Sequence, residues 1–314
     1  MILSASRRTD IPAFYSEWLF HRIREGFVLV PNPMNANQIS RVSLSPDAVD
    51  CWVFWSKNPA PMLEGLRRFG MPWYLHYTLN AYGEDMEAAL PPQGQRLDTF
   101  RALAALAGPG RVVWRYDPIL LAGGYDVPFH IGAFGKLAAA LEGCTDTCIM
   151  SFVDQYGKTA RNTKDAPVRA PDAQETAELA GALAAIARNH GMALQTCAEG
   201  EDLSRHGIGH AACIDKARIE RILGCALKLR HDGQRPHCGC YESIDIGMYH
   251  SCPNGCKYCY ANANPALAAR NAALHNPQSP LLIGSLRQED MPKIRDRAMA
   301  SCRAEPYVQT SFLE

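Results

Sequence analysis

The sequence predicts an α/β fold in which parallel strands form a complete or partial (β/α) barrel of the TIM type. Three observations indicate it. Eight short runs of β-branched and aromatic residues recur along the chain, helical patterns separate most of them, and polar residues follow the strand ends. With 314 residues, 47% of them hydrophobic, the chain is long enough for one barrel of roughly 250 residues and an appendage.

The strands and helices follow from local patterns. The predicted strands are Ile2–Ser6, Phe27–Val30, Asp50–Trp55, Trp73–Leu79, Arg111–Tyr116, Thr147–Val153, Met192–Thr196 and Ser243–Tyr249. The predicted helices are Phe14–Glu25, Arg96–Ala107, Phe129–Leu141, Asp172–Asn189 and Asp215–Leu229. The helix at Asp172 has a capping box with Glu175 and a stop at Gly191. The stretch between Val30 and Asp50 is rich in proline and asparagine, so we expect a loop there.

Alternating strands and helices predict parallel strands, which need cover on both faces or closure into a barrel. We expect residues 1–261 to form the barrel and to end in a cysteine-rich segment, 238–259. Residues 262–314 are predicted to be a C-terminal extension packed on the barrel, with one helix at Met291–Ser301.

The charge balance argues against two classes of partner. Lys plus Arg and Asp plus Glu number 32 each, so no global field attracts nucleic acid or an anionic membrane. No apolar run approaches the roughly 18 to 20 residues of a spanning helix, and the first ten residues lack a secretory apolar region. We therefore expect a cytoplasmic protein with neither nucleic acid nor a membrane as its partner.

Charged side chains close to the strand ends predict a site on one rim, because a barrel gathers the carboxyl ends of its strands there. The candidates for catalysis are Arg7, Arg8, Asp10, Lys57, Arg115 and Asp117, and Glu199 follows a later strand. The cations suit a carboxylate or phosphate on a small-molecule substrate. The alternative is that they form ion pairs with Asp10 and Asp117.

Twelve cysteines without a secretion signal indicate metal binding rather than disulfides. Cys252, Cys256 and Cys259 have the spacing C-x-x-x-C-x-x-C directly after the last predicted strand. Three thiolates on one loop can hold three irons of a 4Fe–4S cluster and leave the fourth iron free for a substrate. Gly255 allows the tight turn that this convergence needs.

Four more cysteines lie near this motif, and four is the number that a fully ligated cluster needs. We therefore expect Cys197, Cys213, Cys238 and Cys240 to ligate a second centre, an auxiliary 4Fe–4S cluster. One alternative is that Cys197 and Cys213 are buried thiols. Another is a single zinc site on the cysteines at 238, 240, 256 and 259.

The cysteine motif resembles the signature of radical SAM enzymes, with an aromatic residue, Tyr258, before the third cysteine. The run Tyr258-Cys259-Tyr260-Ala261 resembles the branch related to spore photoproduct lyase. The chain also resembles an uncharacterised domain-of-unknown-function family whose members have a C-terminal cysteine cluster. The stretches that carry this second resemblance are 4–13, 54–59, 114–119 and 237–240.

The resemblance implies an enzyme that reductively cleaves S-adenosylmethionine (SAM) to a 5′-deoxyadenosyl radical. It implies SAM and a 4Fe–4S cluster as cofactors, cofactor contacts from Tyr258 and Glu199, and an electron donor such as flavodoxin or ferredoxin. Radical SAM enzymes have this motif after the first barrel strand, whereas here it follows the last one. The barrel is therefore expected to be circularly permuted, with the cysteine loop beside Arg7, Arg8 and Asp10.

Two other classes of function are compatible with the sequence. A nucleic-acid repair lyase similar to spore photoproduct lyase would need a basic groove, which the neutral charge balance disfavours. A non-catalytic zinc or iron–sulphur protein would need only the cysteines and would leave the charged strand ends without a role.

Overall fold

A computed structural model of the chain describes residues 1–154 and 156–304. Their strands are β1 (Ile2–Ala5), β2 (Phe27–Asn32), β3 (Asn35–Ser43), β4 (Cys51–Ser56), β5 (Trp73–Thr78), β6 (Val112–Ile119), β7 (Thr147–Phe152), β8 (Ala193–Thr196), β9 (Gly209–His210), β10 (Ile244–Asp245) and β11 (Ile294–Asp296). Eight of them form one parallel sheet in the order β10-β1-β4-β5-β6-β7-β8-β9. The predicted mixed α/β fold with parallel strands is thus confirmed.

The helices are α1 (Ile11–Phe14), α2 (Ser16–Glu25), α3 (Leu63–Arg67), α4 (Gln93–Ala107), α5 (Val127–Ala140), α6 (Gly157–Asn162), α7 (Ala173–Asn189), α8 (Lys216–Leu223) and α9 (Pro265–Ala272). Asp172 caps α7 in a capping box with Glu175, as the sequence predicts. The helix predicted from Asp215 ends earlier than expected, because Gly224 takes a left-handed conformation (φ 68°) directly after Leu223.

Both faces of the parallel sheet are covered, and the alternation of strand side chains decides what covers each face. Leu75 and Trp114 point into the larger core with apolar residues of α2, α4, α5 and α7. Tyr74 and Val113 point to the opposite face. That face packs against α8 and the cysteine-containing segments beside it, through Cys197, Ala211, Cys213, Ile214, Ile219, Leu227 and Cys240.

Closure of the sheet into a barrel is not seen, because the strand order in the described residues ends at β9 on one side and β10 on the other. Loops beyond these edge strands nevertheless meet. The backbone N–H of Tyr241 donates to the carbonyl oxygen of Ile214 over 3.3 Å, and the N–H of Cys213 donates to Cys240 Sγ over 3.2 Å. The last strand of the sheet, β10, pairs with the first, β1.

Two predictions for individual elements are wrong. The run Phe27–Val30 is a strand, but it belongs to a separate sheet of β11, β3 and β2, where β2 and β3 form an antiparallel hairpin in place of the expected loop. Residues Met291–Ser301 are not a helix. A 3-10 helix, Gln288–Lys293, leads into β11 instead, because Pro292 removes a backbone donor that an α-helix would need. The strand β9 was not predicted at all.

The C-terminal extension contacts the rest of the protein through main-chain and side-chain hydrogen bonds. The indole Nε1 of Trp18 donates to the carbonyl oxygen of Ser279 over 2.9 Å, and β11 pairs with β3. The part of this predicted extension from residue 305 onward lies outside the described residues. Within the described part of the chain, every helix is too short or too polar to cross a membrane.

Candidate functional site at the carboxyl edge of the parallel sheet

The loop with the three-cysteine motif, residues 251–262 and hereafter the cluster loop, is held against the loop that follows β5. The N–H of Lys257 donates to the carbonyl of Met86 over 3.0 Å, and the N–H of Ala89 donates to that of Asn254 over 3.2 Å. Cys252 and Cys256 are buried and Cys259 is partly exposed. The motif therefore lies on a supported loop rather than on a free tail.

Asp10 joins the cluster loop to the ends of β1 and β4. Its carboxylate accepts hydrogen bonds from Asn254 Nδ2 at 3.0 Å, from the N–H of Lys57 at 2.8 Å, and from the N–H of Ala13 at 3.0 Å. Burial raises the pKa of Asp10 against the lowering effect of these hydrogen bonds. The hydroxyl of Tyr260 also donates to the carbonyl of Arg7. The segment Arg7–Asp10 and the cluster loop thus lie together.

A buried polar network lies beneath the cluster loop. Lys57 Nζ donates to Glu87 Oε1 at 2.7 Å and to the hydroxyl of Tyr258 at 2.9 Å, and that hydroxyl donates to Glu87. Asn80 donates to the same hydroxyl over 3.2 Å. Burial alone would raise the pKa of Glu87, but the Lys57 ammonium holds that pKa below its usual value.

The network bears on the predicted role of Tyr258. Its side chain is buried and its hydroxyl is fully engaged with Lys57 and Glu87. Of the two tyrosines that flank Cys259, Tyr260 is the exposed one. A contact between Tyr258 and adenine stays a prediction, which in this arrangement would use the ring and not the hydroxyl.

The cations predicted to bind substrate differ in their partners. Arg115 Nε donates to Asp117 Oδ2 at 2.9 Å, which is the ion pair that the sequence left open as an alternative. Arg7 pairs with Asp245 instead of Asp10, over 3.7 Å. The guanidinium of Arg8 lies 5.2 Å from the centre of the Tyr249 ring, and no carboxylate in the described residues pairs with it.

Glu199 lies at the same edge, after β8. Its Oε1 accepts a hydrogen bond of 2.9 Å from the N–H of Phe152, at the end of β7. Burial raises the pKa of Glu199 to about 7. A carboxyl group that titrates near neutral pH is suited to hold or release a proton.

The thiols of the cluster loop are strongly affected by burial. Burial raises the pKa of Cys252 to about 12, and the nearby Asp10 and Cys259 add to the shift. Burial also raises the pKa of Cys256 well above its usual value, although the Lys57 ammonium opposes that change. A positively charged metal centre would reverse this balance, because it stabilises the thiolate form.

The other four predicted ligands form a second cysteine group, made of Cys197, Cys213, Cys238 and Cys240. The sulphur atoms of Cys197 and Cys213 are 3.3 Å apart, and Arg115 Nη1 donates to Cys213 Sγ over 3.0 Å. The N–H groups of Cys213 and Ile214 both donate to Cys240 Sγ. A hydrogen bond from Cys240 is the main cause that lowers the pKa of Cys238 to about 6.

The structure therefore groups Cys238 and Cys240 with Cys213, whereas the zinc alternative from the sequence grouped them with Cys256 and Cys259. Across residues 1–154 and 156–304, no three His, Cys, Asp or Glu side chains are already arranged to hold a metal ion. Metal binding at either group would thus need the sulphur atoms to reorient.

Several residues of this edge were missed by sequence reasoning. Glu87 lies inside a loop nine residues after β5, where no strand end marks it. Asp245 ends β10 and accepts hydrogen bonds from the hydroxyls of Ser4 and Ser6, both at 2.8 Å. The predicted strand Ser243–Tyr249 continued past Asp245, so the sequence did not mark this residue as a strand end. Asn254 is the third, and its place between two motif cysteines marks it.

Comparison with known proteins gives one match. No curated protein and no solved structure matches the chain. A family model described as a domain of unknown function (DUF1848) matches residues 2–261, which include the parallel sheet, the second cysteine group and most of the cluster loop. The chain therefore belongs to the DUF1848 family, in agreement with the domain-of-unknown-function resemblance drawn from its sequence motifs.

Proposed function

We propose that this protein is a radical SAM-type iron–sulphur enzyme in which Cys252, Cys256 and Cys259 hold a 4Fe–4S cluster. The observation that carries the proposal is the location of a C-x-x-x-C-x-x-C loop at the carboxyl edge of a parallel sheet, in contact with Asp10. When bound and reduced, such a cluster supplies the electron that cleaves SAM to a 5′-deoxyadenosyl radical.

The fold supports this proposal through the neighbouring positions of β10 and β1. Because the last strand of the sheet lies beside the first, the motif occupies the edge where a permuted barrel would have it. We propose that the sheet is an incomplete barrel, whose edge strands β9 and β10 are bridged by the second cysteine group. The contacts of Tyr241 with Ile214 and of Cys213 with Cys240 support that closure.

The chain's own residues would position the loop, bind the substrate and manage protons. Lys57 and Glu87 fix the underside of the cluster loop through Tyr258. Arg8, which has no carboxylate partner among residues 1–154 and 156–304, is a cation available for an anionic group of a small-molecule substrate. Glu199, with a pKa of about 7, is a carboxyl group at the same sheet edge that is suited to hold a proton. A flavodoxin or ferredoxin would donate the electron.

SAM cleavage tests the proposal directly. Protein prepared without oxygen, loaded with iron and sulphide and then reduced should convert SAM to 5′-deoxyadenosine and methionine, which chromatography detects. Alanine at Cys252, Cys256 or Cys259 should abolish this conversion, because a cubane then loses one of its three thiolate ligands. Cys144→Ala is the matched control, since Cys144 is a free cysteine outside both cysteine groups.

A fully loaded protein that never produces 5′-deoxyadenosine, with small-molecule or nucleic-acid candidates present, would contradict the enzymatic proposal. A stably bound cluster or zinc ion without SAM cleavage would then point to the non-catalytic metal-binding alternative.

A further inference from the structure

The second cysteine group is compact in a way that the count of cysteines alone does not predict. Cys197 follows β8, Cys213 follows β9, and Cys238 and Cys240 precede β10. Cys197 and Cys213 have sulphur atoms 3.3 Å apart, and hydrogen bonds connect the thiol of Cys240 with those of Cys213 and Cys238. Segments separated by up to 43 residues in the chain therefore bring their thiols to one place.

The short distance between the sulphur atoms of Cys197 and Cys213 favours a small occupant. A single ion with four thiolate ligands at about 2.3 Å spaces the sulphur atoms by about 3.8 Å, the edge of a tetrahedron. A cubane has each thiolate on a different iron, so its four sulphur ligands lie farther apart. The 3.3 Å separation of Cys197 and Cys213 is close to the tetrahedral edge.

The surroundings of the group suit thiolates. Cys240 Sγ accepts two backbone hydrogen bonds, of 3.2 Å from Cys213 and 3.4 Å from Ile214, and such donors stabilise metal-bound sulphur. Arg115 donates to Cys213 Sγ over 3.0 Å. Arg235 donates to the carbonyl of Cys197 over 3.0 Å. Arg115 and Arg235 also pair with Asp117 and Asp154, so they serve the site as hydrogen-bond donors rather than as a source of net positive charge.

Gly239 shows how the C-x-C turn comes so close to its partner loop. A Cβ atom at this position would lie 3.2 Å from the carbonyl oxygen of Ala211 and 3.9 Å from the side chain of Ala212. A side chain there would push Cys238 and Cys240 away from Cys213. Gly239 therefore allows the segment with Cys238 and Cys240 to pack closely against the segment with Cys213.

We propose that Cys197, Cys213, Cys238 and Cys240 bind one Zn²⁺ ion with four thiolate ligands, at a site separate from the cluster loop. This occupant differs from the auxiliary 4Fe–4S cluster expected from the number of cysteines. Binding replaces thiol protons with the ion and releases those protons to solvent, and small rotations about the Cα–Cβ bonds would turn the four sulphur atoms toward it. The site ties the loops beyond β9 and β10 together.

Measurement of the metal content per chain distinguishes this site from the cluster loop. Full-length protein with alanine at Cys252, Cys256 and Cys259 lacks the cluster-loop ligands, so it should retain about one zinc per chain and no acid-labile sulphide. Replacement of the zinc by Co²⁺ should give the absorption of tetrahedral cobalt with thiolate-to-metal charge transfer. These readouts do not depend on SAM cleavage, so failure here and failure of the proposed enzyme are distinguishable.

Cys213→Ser and Cys240→Ser should each abolish the cobalt absorption and lower zinc to well below one per chain. Cys225→Ser is the matched control, since Cys225 is a free cysteine close to α8 but outside the group, and it should retain the ion. If a serine variant does not fold, the metal content of the triple-alanine protein still tests the proposal by itself. A folded triple-alanine protein without metal, or with about four irons and four sulphides, would overturn the proposal.

Discussion

The protonation state of each charged side chain at the carboxyl edge depends on its burial and on its nearest charged partner. Lys57, Arg115 and Asp117 could be chosen from the sequence because each stands at or just after a predicted strand. Their partners could not be chosen in the same way. Glu87 reaches Lys57 from within a loop, and Cys213 reaches Arg115 from beyond a two-residue strand. Pairing across distant segments depends on the folded path of the chain, which local patterns do not contain.

Glu199 should make the stability of the protein depend on pH. Its pKa is about 7 in the folded protein and about 4.3 in an unfolded chain. Between these values the unfolded chain has lost the proton and the folded protein has kept it, so stability falls as pH rises through this window and is level above it. Glu199→Gln should flatten that fall and raise the free energy of unfolding at pH 8 relative to the original protein.

Urea unfolding at pH 5 and pH 8 measures this difference. The exposed Glu201 gives the matched control, and Glu201→Gln should leave the pH dependence as it is. An unchanged slope in the Glu199 variant would show that its carboxyl group titrates in the ordinary range.

The cluster loop depends on a neighbouring element, the loop after β5, for its support. Glu87→Ala should lower the free energy of unfolding by about 3 to 5 kcal/mol, because it leaves the Lys57 ammonium buried without its carboxylate. Glu84 lies in the same loop but is exposed, so Glu84→Ala should change that free energy by less than about 0.5 kcal/mol. Equilibrium unfolding in denaturant checks both variants, and equal effects would show that the network does not hold the loop.

Elements with strong periodic patterns were predictable, and short or mixed ones were not. The helix α7 has a long apolar stripe and a capping box, so its start at Ala173 was predicted to within one residue. The hairpin of β2 and β3 contains Pro31 and several asparagines, which favour turns. On its other side β3 pairs with β11, 255 residues later in the chain. Such distant pairing leaves no local signal.

At the scale of the whole molecule, the second cysteine group connects regions that the sheet does not join by strand pairing. If Zn²⁺ binds there, a chelator strong enough to remove it should lower the melting temperature. Binding at 1,000 times the dissociation constant contributes about 4 kcal/mol, and about 2 to 4 °C per kcal/mol makes the expected loss on the order of 10 °C. Thermal unfolding of the triple-alanine protein with and without chelator measures it. In triple-alanine protein that also carries Cys213→Ser, the chelator should leave the melting temperature unchanged.

The overall architecture was predictable in class and in the position of the motif. Alternating strands and helices predicted the parallel sheet. The position of the motif after the final predicted strand led to the prediction that this strand lies beside the first, and β10 does pair with β1. The packing of Ile214 and Leu227 against the sheet face of Tyr74 and Val113 was not predictable, because these residues lie in irregular segments without a periodic pattern.

The pairing of β10 with β1 also has a consequence for how the protein is made. Ser4 donates to Asp245 across 241 positions of the chain, so one edge of β1 stays unpaired until β10 has been synthesised. Sheets assembled from such remote segments form slowly. During synthesis this unpaired edge of β1 is exposed to incorrect pairing with other strands, which is a hazard for aggregation before β10 is in place.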